Sequence, residues 1–295
     1  MFNWDDLRIF LAAARRSSYQ DAAMHIGLDP TTIGRRVARL EAALRCTLIA
    51  RGPGGLTLTT MGQRLFEAAS AIEATTEAIG ETVIGDSAWG TVRLSMPEGF
   101  GTAILAPALP GLAAQRPQLH IELVATPGFY SPVTREVDLA ITLSPPQDAR
   151  LAVEQLTEYT LGLYAARSYL DKAGTPKNAA ALGEHRLVGY IDDLLYANEL
   201  RYLDEIHPGL RPALASSSIR AQLEIIAAGG GIGVLPHFLS SRTASNLVPV
   251  LRAEVSLTRG FWMSARRDVQ QTARVRATMR WIKQTVADCQ DVLLT

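Results

Sequence analysis

The 295-residue chain contains few of the residues on which several protein classes depend. Its two cysteines, Cys46 and Cys289, lie far apart in the sequence, which is typical of buried free thiols in a reducing compartment and argues against a redox-sensing pair. Its five histidines form no pair with metal-ligand spacing. No stretch approaches the roughly 18 uninterrupted apolar residues of a membrane span. A disulfide scaffold, a metal centre and a membrane anchor are therefore not expected.

Enzyme motifs are missing as well. The sequence has no Gly-x-Ser-x-Gly elbow, and its glycine clusters at 99–101 and 229–233 lack the complete G-x-G-x-x-G pattern of dinucleotide sites. Its first residues show neither a basic region nor an apolar core, so no signal peptide is expected and the predicted location is cytoplasmic. We expect a protein that is not an enzyme and needs no cofactor.

Charge is balanced over the chain but unevenly distributed. The sequence has 29 basic and 29 acidic residues, yet residues 1–64 carry nine arginines against five acids. Residues 65–88 carry five acids and no base, and the remainder is nearly neutral. A basic N-terminal module on a neutral body indicates a local nucleic-acid footprint.

The stretch 29–44 has the features of a DNA-reading helix. Asp29 is a capping residue, Pro30 suits the first helical position, and four apolar residues line one face at 4-3-4 spacing. The other face carries hydroxyls and guanidinium groups, which suit phosphates and base edges. The alternative is an ordinary amphipathic surface helix with a basic face. The face-forming residues are Ile33, Val37, Leu40 and Leu44 on the apolar side, and Thr31, Thr32, Gly34, Arg35, Arg36 and Arg39 on the polar side.

The neighbouring segments favour a winged helix-turn-helix. Helices are predicted over 5–16 and 20–26, with a glycine turn at Gly27 and Leu28 as a buried contact before the third helix. Two short alternating runs, at 47–50 and 56–58, flank a turn-rich tip that carries Arg51, which predicts a β-hairpin wing.

A long helix is predicted from Thr59 or Thr60 to about residue 84. Its apolar residues recur with heptad spacing, so we interpret this seam as a dimerisation surface. Its other face is acidic, which predicts packing on a basic surface such as Arg8, Arg15 or Arg16 of the same or a partner chain; the alternative is a solvated acidic face. The predicted dimerisation residues are Leu65, Ala69, Ile72, Ile79 and Val83.

Beyond residue 87 the pattern becomes α/β. Alternating strands and helices predict a doubly wound parallel sheet that binds ligands at the carboxyl ends of its strands. The predicted domains are residues 1–60, a linker helix over 61–86, and 87–295, the last with lobes at 87–163 plus 260–295 and at 164–259.

These motifs occur together, in order, in one known family. The segments 4–7, 21–23, 32–41 and 58–62, followed by 90–95, 136–141 and 231–236, resemble the LysR-type transcriptional regulators. The resemblance covers essentially the whole chain. It implies a mixed fold: a mainly α winged helix-turn-helix, a long linker helix, and a two-lobed α/β effector domain similar to periplasmic binding proteins.

The resemblance also implies function and partners. Such proteins bind double-stranded promoter or operator DNA, assemble as homodimers or homotetramers, and bind a small effector between the two lobes. RNA polymerase is a further candidate partner, and no membrane partner is expected. A constitutive or architectural DNA-binding protein, whose α/β domain serves oligomerisation only, is the alternative function.

The DNA-binding candidates come from the predicted recognition helix, from the wing and from the start of the second helix. One of Arg35 and Arg36 is expected to reach bases and the other phosphate, while Arg39 is expected to contact phosphate or to pair with Glu41 or Asp29. The full set is Gln20, Thr31, Thr32, Arg35, Arg36, Arg39 and Arg51.

Three positions depart from the family pattern. Gly34 stands where a small hydroxyl residue is usual, Gln20 where a helix-capping threonine is usual, and Arg45 where a glycine normally ends the recognition helix. A base contact made by a side chain at position 34 in relatives would therefore be absent, or made by backbone and water.

The effector candidates lie in a loop at a helix start, at a strand end and in a serine cluster. Free N–H groups and short hydroxyls suit an anion, although an acid at Glu98 would disfavour a simple carboxylate or favour an effector with an amino group. The serines could instead only cap their helix, and the glycines of 229–233 could only permit close packing. The candidates are Pro97, Glu98, Gly99, Phe100, Thr142, Ser144, Ser217 and Ser218.

Overall fold

A computed structural model describes residues 2–16, 18–52, 55–84, 88–126, 128, 130–134, 136–243 and 246–294. Its internal contacts divide the chain into two compact units. The first consists of Met1–Ser87 with the short segments Val133–Glu136 and Arg267–Ala273. The second consists of Ala88–Pro132, Val137–Arg266 and Arg274–Thr295.

The N-terminal unit is a winged helix-turn-helix followed by a long helix, as the sequence predicted. Polar side chains start its helices: Asn3, Ser18 and Asp29 each accept a backbone N–H bond from the first turn, which satisfies a donor that the helix itself cannot. The elements are α1 (Trp4–Ala14), α2 (Tyr19–Ile26), α3 (Pro30–Leu44), the antiparallel strands β1 (Ile49–Gly52) and β2 (Gly55–Leu58), and α4 (Thr60–Ile84).

The predicted apolar face of α3 forms part of the core of this unit. Ile33, Val37 and Leu40 are at most 1% exposed, and Phe66 of α4 is buried with them. One expectation is wrong: Leu28 is 37% exposed. Its backbone N–H closes the end of α2 by donating to the Ala23 carbonyl, and its side chain stays on the surface.

The acidic face of α4 packs on a basic residue of its own chain. Arg15 forms a bidentate ion pair with Glu73, with Nη2 and Oε2 2.5 Å apart, and its guanidinium lies 5.6 Å from the ring centre of Phe66. The expected contact with Arg15 is therefore confirmed.

The residues of the predicted seam of α4 differ in how far they are buried within their own chain. Ala69 is 2% exposed within the unit's own core, and Leu65 packs partly against that core. Ile72 is 39% exposed. The side chains of Ile79 and Val83 lie outside the described ones, so dimerisation through this seam stays a prediction.

The second unit is built around one mixed sheet. Its strands are β3 (Gly90–Pro97), β4 (Leu119–Thr126), β5 (Leu139–Thr142), β6 (Leu151–Ala166), β7 (Leu187–Gly189), β8 (Leu214–Ala215), β9 (Ile232–Pro236), β10 (Leu247–Val250) and β11 (Leu257–Arg266). Its helices are α5 (Glu98–Phe100), α6 (Leu109–Gln115), α7 (Arg167–Ala173), α8 (Tyr202–Ile206), α9 (Ile219–Ala227), α10 (His237–Thr243), α11 (Ala273–Asp288) and α12 (Gln290–Leu294). A π turn, Gly101–Leu105, and a 3-10 turn, Ala106–Ala108, join α5 to α6.

The expected parallel sheet is found only at the two ends of this larger sheet. The strand order is β4-β3-β5-β11-β6-β9-β7-β8, with β10 also paired to β6. Strand β3 runs parallel to β4 and β5, and β7 runs parallel to β8 and β9. Between these groups the long strands β6 and β11 pair antiparallel with each other and with their neighbours, so the sheet is mixed. Two small α/β halves are thus joined by two shared strands.

Within the described ranges, no helix is long and apolar enough to cross a membrane. The same residues contain no group of His, Cys, Asp and Glu side chains suited to holding a metal ion.

Candidate nucleic-acid interface and ligand cleft

A buried acid organises two arginines of the predicted recognition helix. Asp6 of α1 is 1% exposed, and its carboxylate accepts hydrogen bonds from Arg39 Nε (2.6 Å) and Nη2 (2.5 Å) and from Arg36 Nη1 (2.9 Å). Arg36 Nη1 also lies 3.2 Å from Oδ2 of Asp5. The hydrogen bonds from Arg39 lower the pKa of Asp6, and Arg36 adds to the effect against the opposing influence of burial. Asp6 therefore ties α3 to α1.

The two partners expected for Arg39 are engaged elsewhere. Glu41 Oε1 accepts the backbone N–H groups of Leu48 (2.7 Å) and Ile49 (3.1 Å), which joins α3 to the wing. Asp29 caps α3 by accepting the N–H of Thr31 at 2.8 Å and its hydroxyl at 2.5 Å. The hydroxyl of Thr31 lowers the pKa of Asp29. The ion pair that Arg39 forms is with Asp6, which is distant in sequence.

Arg35 differs from its two neighbours. It is exposed on α3 and has no hydrogen-bond or ion-pair partner among the described residues. Thr31 lies one turn earlier on the same face and is exposed too. The structure thus leaves Arg35 as the arginine of α3 whose guanidinium is not committed to the fold.

The other DNA-binding candidates lie near this face or outside the described side chains. Thr32 is half-buried on α3, and Gln20 is exposed in the first turn of α2. The cap of α2 is Ser18, whose hydroxyl accepts the N–H of Asp21 at 3.1 Å, so Gln20 is not needed as a cap. Arg51 lies on β1 opposite Leu56, and its side chain is not among those described.

Gly34 and Arg45, the other two departures from the family pattern, differ in what the backbone and packing require. A Cβ built on Gly34 would lie 3.4 Å from the ring of Tyr19, an ordinary contact, so packing does not require glycine there. Arg45 ends α3 with φ of 54°, in the left-handed region that favours glycine. This helix therefore ends on a strained residue.

A cleft in the second unit gathers most of the predicted effector residues. Pro97, Glu98, Gly99 and Phe100 line it from the end of β3, and Ser217 lines it from the segment before α9. The cleft is half open to solvent, and its water-accessible volume is about 30 Å³. The remaining lining residues are Leu143, Tyr159, Tyr190, Tyr196, Leu200, Tyr202, Ile219, Pro236, Phe238 and Phe261.

Ser218 joins the two sides of this cleft. Its hydroxyl lies 3.0 Å from Oε1 and 2.9 Å from Oε2 of Glu98, to which it donates. The same oxygen accepts the N–H of Ala221 at 3.1 Å. Ser218 therefore caps α9, as the alternative interpretation held, and also binds the carboxylate of the opposite loop.

Four tyrosines of the cleft were missed by sequence reasoning. Burial raises the pKa of each phenol, so all four are neutral at physiological pH. Tyr159 stacks on Phe261 with ring centres 4.2 Å apart. The signal was present in part, since Tyr190, Tyr196 and Tyr202 recur every six residues in a chain with eight tyrosines.

Thr142, Ser144 and the glycine run 229–233 do not line the cleft. Thr142 donates its hydroxyl to the carbonyl of Ser144 at 2.7 Å, which closes the strand end locally, while the intervening Leu143 faces the cleft. The glycine run packs against backbone. A Cβ on Gly231 would lie 2.2 Å from the carbonyl oxygen of Arg186, and one on Gly230 would lie 2.7 Å from that of Ile225. Close packing accounts for these glycines.

Two family models match the chain. One, described as "LysR substrate binding domain", matches residues 85–287. The other, described as "Bacterial regulatory helix-turn-helix protein, lysR family", matches residues 4–63. Between them lie residues 64–84, most of α4, which neither model matches.

Full-length relatives carry regulatory names. The Mau operon transcriptional activator of Paracoccus denitrificans is 26% identical over 290 residues, 97% of each chain. The HTH-type transcriptional regulator CrgA of Neisseria meningitidis (serogroup C, strain 8013) is 26% identical over 263 residues, 86% of this chain and 87% of that one.

Solved structures show the same fold. The structure of CrgA from Neisseria meningitidis superposes with a TM-score of 0.61 at 22% identity, covering 96% of this chain and 99% of that one. A full-length OxyR variant from Pseudomonas aeruginosa reaches a TM-score of 0.70 at 15% identity, covering 97% of this chain and 98% of that one.

Proposed function

The chain belongs to the lysR family of bacterial transcriptional regulators, and from that membership we propose that a small molecule bound in the Glu98 cleft controls its binding to operator DNA. The DNA-binding role follows from the family itself. Effector control is the proposal, and the cleft between β3 and α9 is its site. The proposed location is the cytoplasm.

The exposed guanidinium of Arg35 is the observation that carries the DNA-binding assignment. We assign direct base or phosphate contact to Arg35, with Thr31, Thr32 and Gln20 beside it and Arg51 on the wing. Arg36 and Arg39 act mainly by fixing α3 on α1 through Asp6, and any phosphate contact they make uses the N–H groups that Asp6 leaves free.

We further propose that α4 mediates dimerisation. Ile72 is exposed on the predicted seam and is offered as a contact, together with Ile79 and Val83, while Leu65 and Ala69 support the helix from within their own chain. Pairing two chains would set two copies of α3 about 34 Å apart, or a multiple of it, as successive turns of DNA require. A tetramer and contact with RNA polymerase are further expectations from the family.

DNA binding is tested by titrating a labelled duplex from upstream of the protein's own coding region with the full chain. We expect Arg35→Ala to weaken binding by about 1–3 kcal/mol while leaving the thermal midpoint unchanged. Lys172→Ala, an exposed cation on α7, is the matched control and should bind as the unsubstituted chain does. Equal affinities for all three proteins would refute the assignment.

The small cavity favours one competing function. The water-accessible volume of the cleft, about 30 Å³, is small for a metabolite. A constitutive DNA-binding protein would bind no ligand there. A thermal-shift screen separates the two, because a ligand that binds the folded state raises stability with concentration.

A further inference from the structure

The charge of the cleft is unusual for a site expected to take anions. Among the described residues that line it, Glu98 is the only acid or base. Its carboxylate has Ser218 as hydrogen-bond partner and no cationic partner within the described part of the chain. An anion entering this cleft would meet a carboxylate that no lining cation offsets.

Aromatic rings surround that acid. Tyr159, Tyr190, Tyr196 and Tyr202 share the cleft with Phe100, Phe238 and Phe261. Ring faces carry partial negative charge and attract ammonium groups, and the attraction increases where water is excluded. Because burial raises the pKa of the four phenols, they carry no charge. Tyr159 and Tyr202 are at most 5% exposed, with Phe261 stacked on the first and Arg259 over the second, so the rings with accessible surface are those of Tyr190 and Tyr196.

The nearby arginine is already engaged. The guanidinium of Arg259 lies 5.7 Å from the ring centre of Tyr202, donates to the Glu199 carbonyl at 3.1 Å and pairs with Glu205. It is not part of the cleft lining. Its charge is therefore largely compensated outside the cleft.

We infer that the effector of this protein carries a cationic amino or quaternary ammonium group, bound by Glu98 and the rings of Tyr190 and Tyr196. This inference rests on the proposed effector function and specifies the ligand class. Ser218 orients Glu98 through its hydroxyl, while both carboxylate oxygens keep further acceptor positions for the ammonium group.

The test uses matched ligands that differ in one group. A series of amines from methylammonium to benzylamine, with choline added, is titrated into the full chain at constant ionic strength. Each amine is paired with the alcohol and the carboxylate of the same carbon skeleton, and 3,3-dimethylbutan-1-ol serves as the neutral counterpart of choline. Thermal midpoints and calorimetric titrations are the readouts. We expect at least one amine to bind, and its alcohol and carboxylate counterparts to bind more weakly or not at all.

Substitution at Glu98 locates the site. We expect Glu98→Gln, which keeps the shape of the side chain and its bond to Ser218, to weaken the binding amine by about tenfold or more. Glu184→Gln removes the same charge from an exposed position elsewhere in the unit and should leave binding unchanged.

The outcomes are distinguishable. Two results would overturn the cationic assignment and leave effector control standing. In the first, carboxylates or alcohols bind more tightly than the amines. In the second, neither Glu98→Gln nor Glu184→Gln changes the affinity for the amine. If no amine bound, this inference would fail, and effector control would be decided separately by the wider thermal-shift screen described above. DNA binding by the same preparation reports that the N-terminal unit is intact in either case.

Discussion

Asp6 of the N-terminal unit and Glu98 of the cleft in the second unit are acids with opposite surroundings. Asp6 is buried and satisfied by two guanidinium groups, and its pKa is lowered by the hydrogen bonds from Arg39. Glu98 is half-buried among neutral aromatic rings and bonded to one serine.

The charge of Asp6 therefore has a structural role, whereas the charge of Glu98 is available to a ligand. A buried carboxylate with its cations in place contributes to the fold, because removing it strands the groups that compensate it. A carboxylate without a cation contributes little to the fold and offers its charge to whatever enters.

Replacing Asp6 should destabilise the N-terminal unit most. We expect Asp6→Ala to lower the free energy of unfolding by about 3 kcal/mol, the lower end of the range for a broken buried ion pair, because both arginines can still reach water. Denaturant unfolding measured through helix content checks this. Asp5→Ala is the control, since Asp5 pairs with Arg36 at the surface and should cost less than about 1 kcal/mol.

The same contact predicts a dependence on pH. Because the pKa of Asp6 is lowered in the folded protein from its ordinary value of 3.8, its stabilisation is present above pH 3.8 and is lost as pH falls through the lower, folded value. The unfolding free energy of Asp6→Asn should therefore decline less in this acid range than that of the unsubstituted chain. Parallel acid curves for both proteins would contradict the role given to Asp6.

Relieving the strained end of α3 should stabilise the chain. Arg45→Gly places the residue that best tolerates positive φ at that position, and we expect a gain of about 0.5–1 kcal/mol after the entropy cost of glycine. The thermal midpoint reports the change. Arg45→Ala retains a Cβ and should give no such gain; equal gains from both would mean that strain is not the cause.

A side chain at position 34 should fit and alter recognition. Gly34→Ser introduces an ordinary contact with Tyr19, and we expect stability to rise by about 0.5 kcal/mol from helix propensity. The added hydroxyl should change sequence preference in a selection from randomised duplexes, whereas Gly34→Ala should give the stability without the new preference. A loss of stability in both variants would show that the site requires glycine.

The smallest effect should come from Glu98. Without ligand, Glu98→Gln should change the free energy of unfolding by less than about 0.5 kcal/mol, because the amide oxygen still accepts the Ser218 bond and no cation is stranded. Chemical denaturation of the full chain measures this free energy. A loss comparable to that of Asp6→Ala would mean that Glu98 has a structural partner.

Local features of the fold could be predicted, whereas most features that join distant segments could not. The contact of Arg15 with the acidic face of α4 is an exception, because the opposite charges of the two segments indicated it. Asp29, the apolar face of α3 and the turn at Gly27 depend on neighbours within a few residues, so periodicity and capping rules identify them. The pairing of β6 with β11, which makes the sheet mixed, joins residues about 100 positions apart. No local pattern encodes such a pairing.

The sites divide in the same way. The loop 97–100 could be recognised as a helix start after a strand. The four tyrosines enter the cleft from β6 (Tyr159), from the segment after β7 (Tyr190 and Tyr196) and from the start of α8 (Tyr202), and only the six-residue spacing of the last three links them in the sequence. The polar face of α3 predicts which arginines are candidates for DNA binding. It does not predict which of them form ion pairs within the fold, because their partner, Asp6, lies on another helix. Electrostatic roles depend on partners that only the tertiary fold brings together.

The most direct test of this division compares Arg35→Ala with Arg39→Ala in two assays, DNA affinity and unfolding free energy. We expect Arg35→Ala to lose more DNA affinity and Arg39→Ala to lose more stability, because one guanidinium has no partner among the described residues and the other is bound to Asp6. The reverse order in both assays, with Arg39 the stronger contributor to DNA binding and Arg35 to stability, would contradict the account.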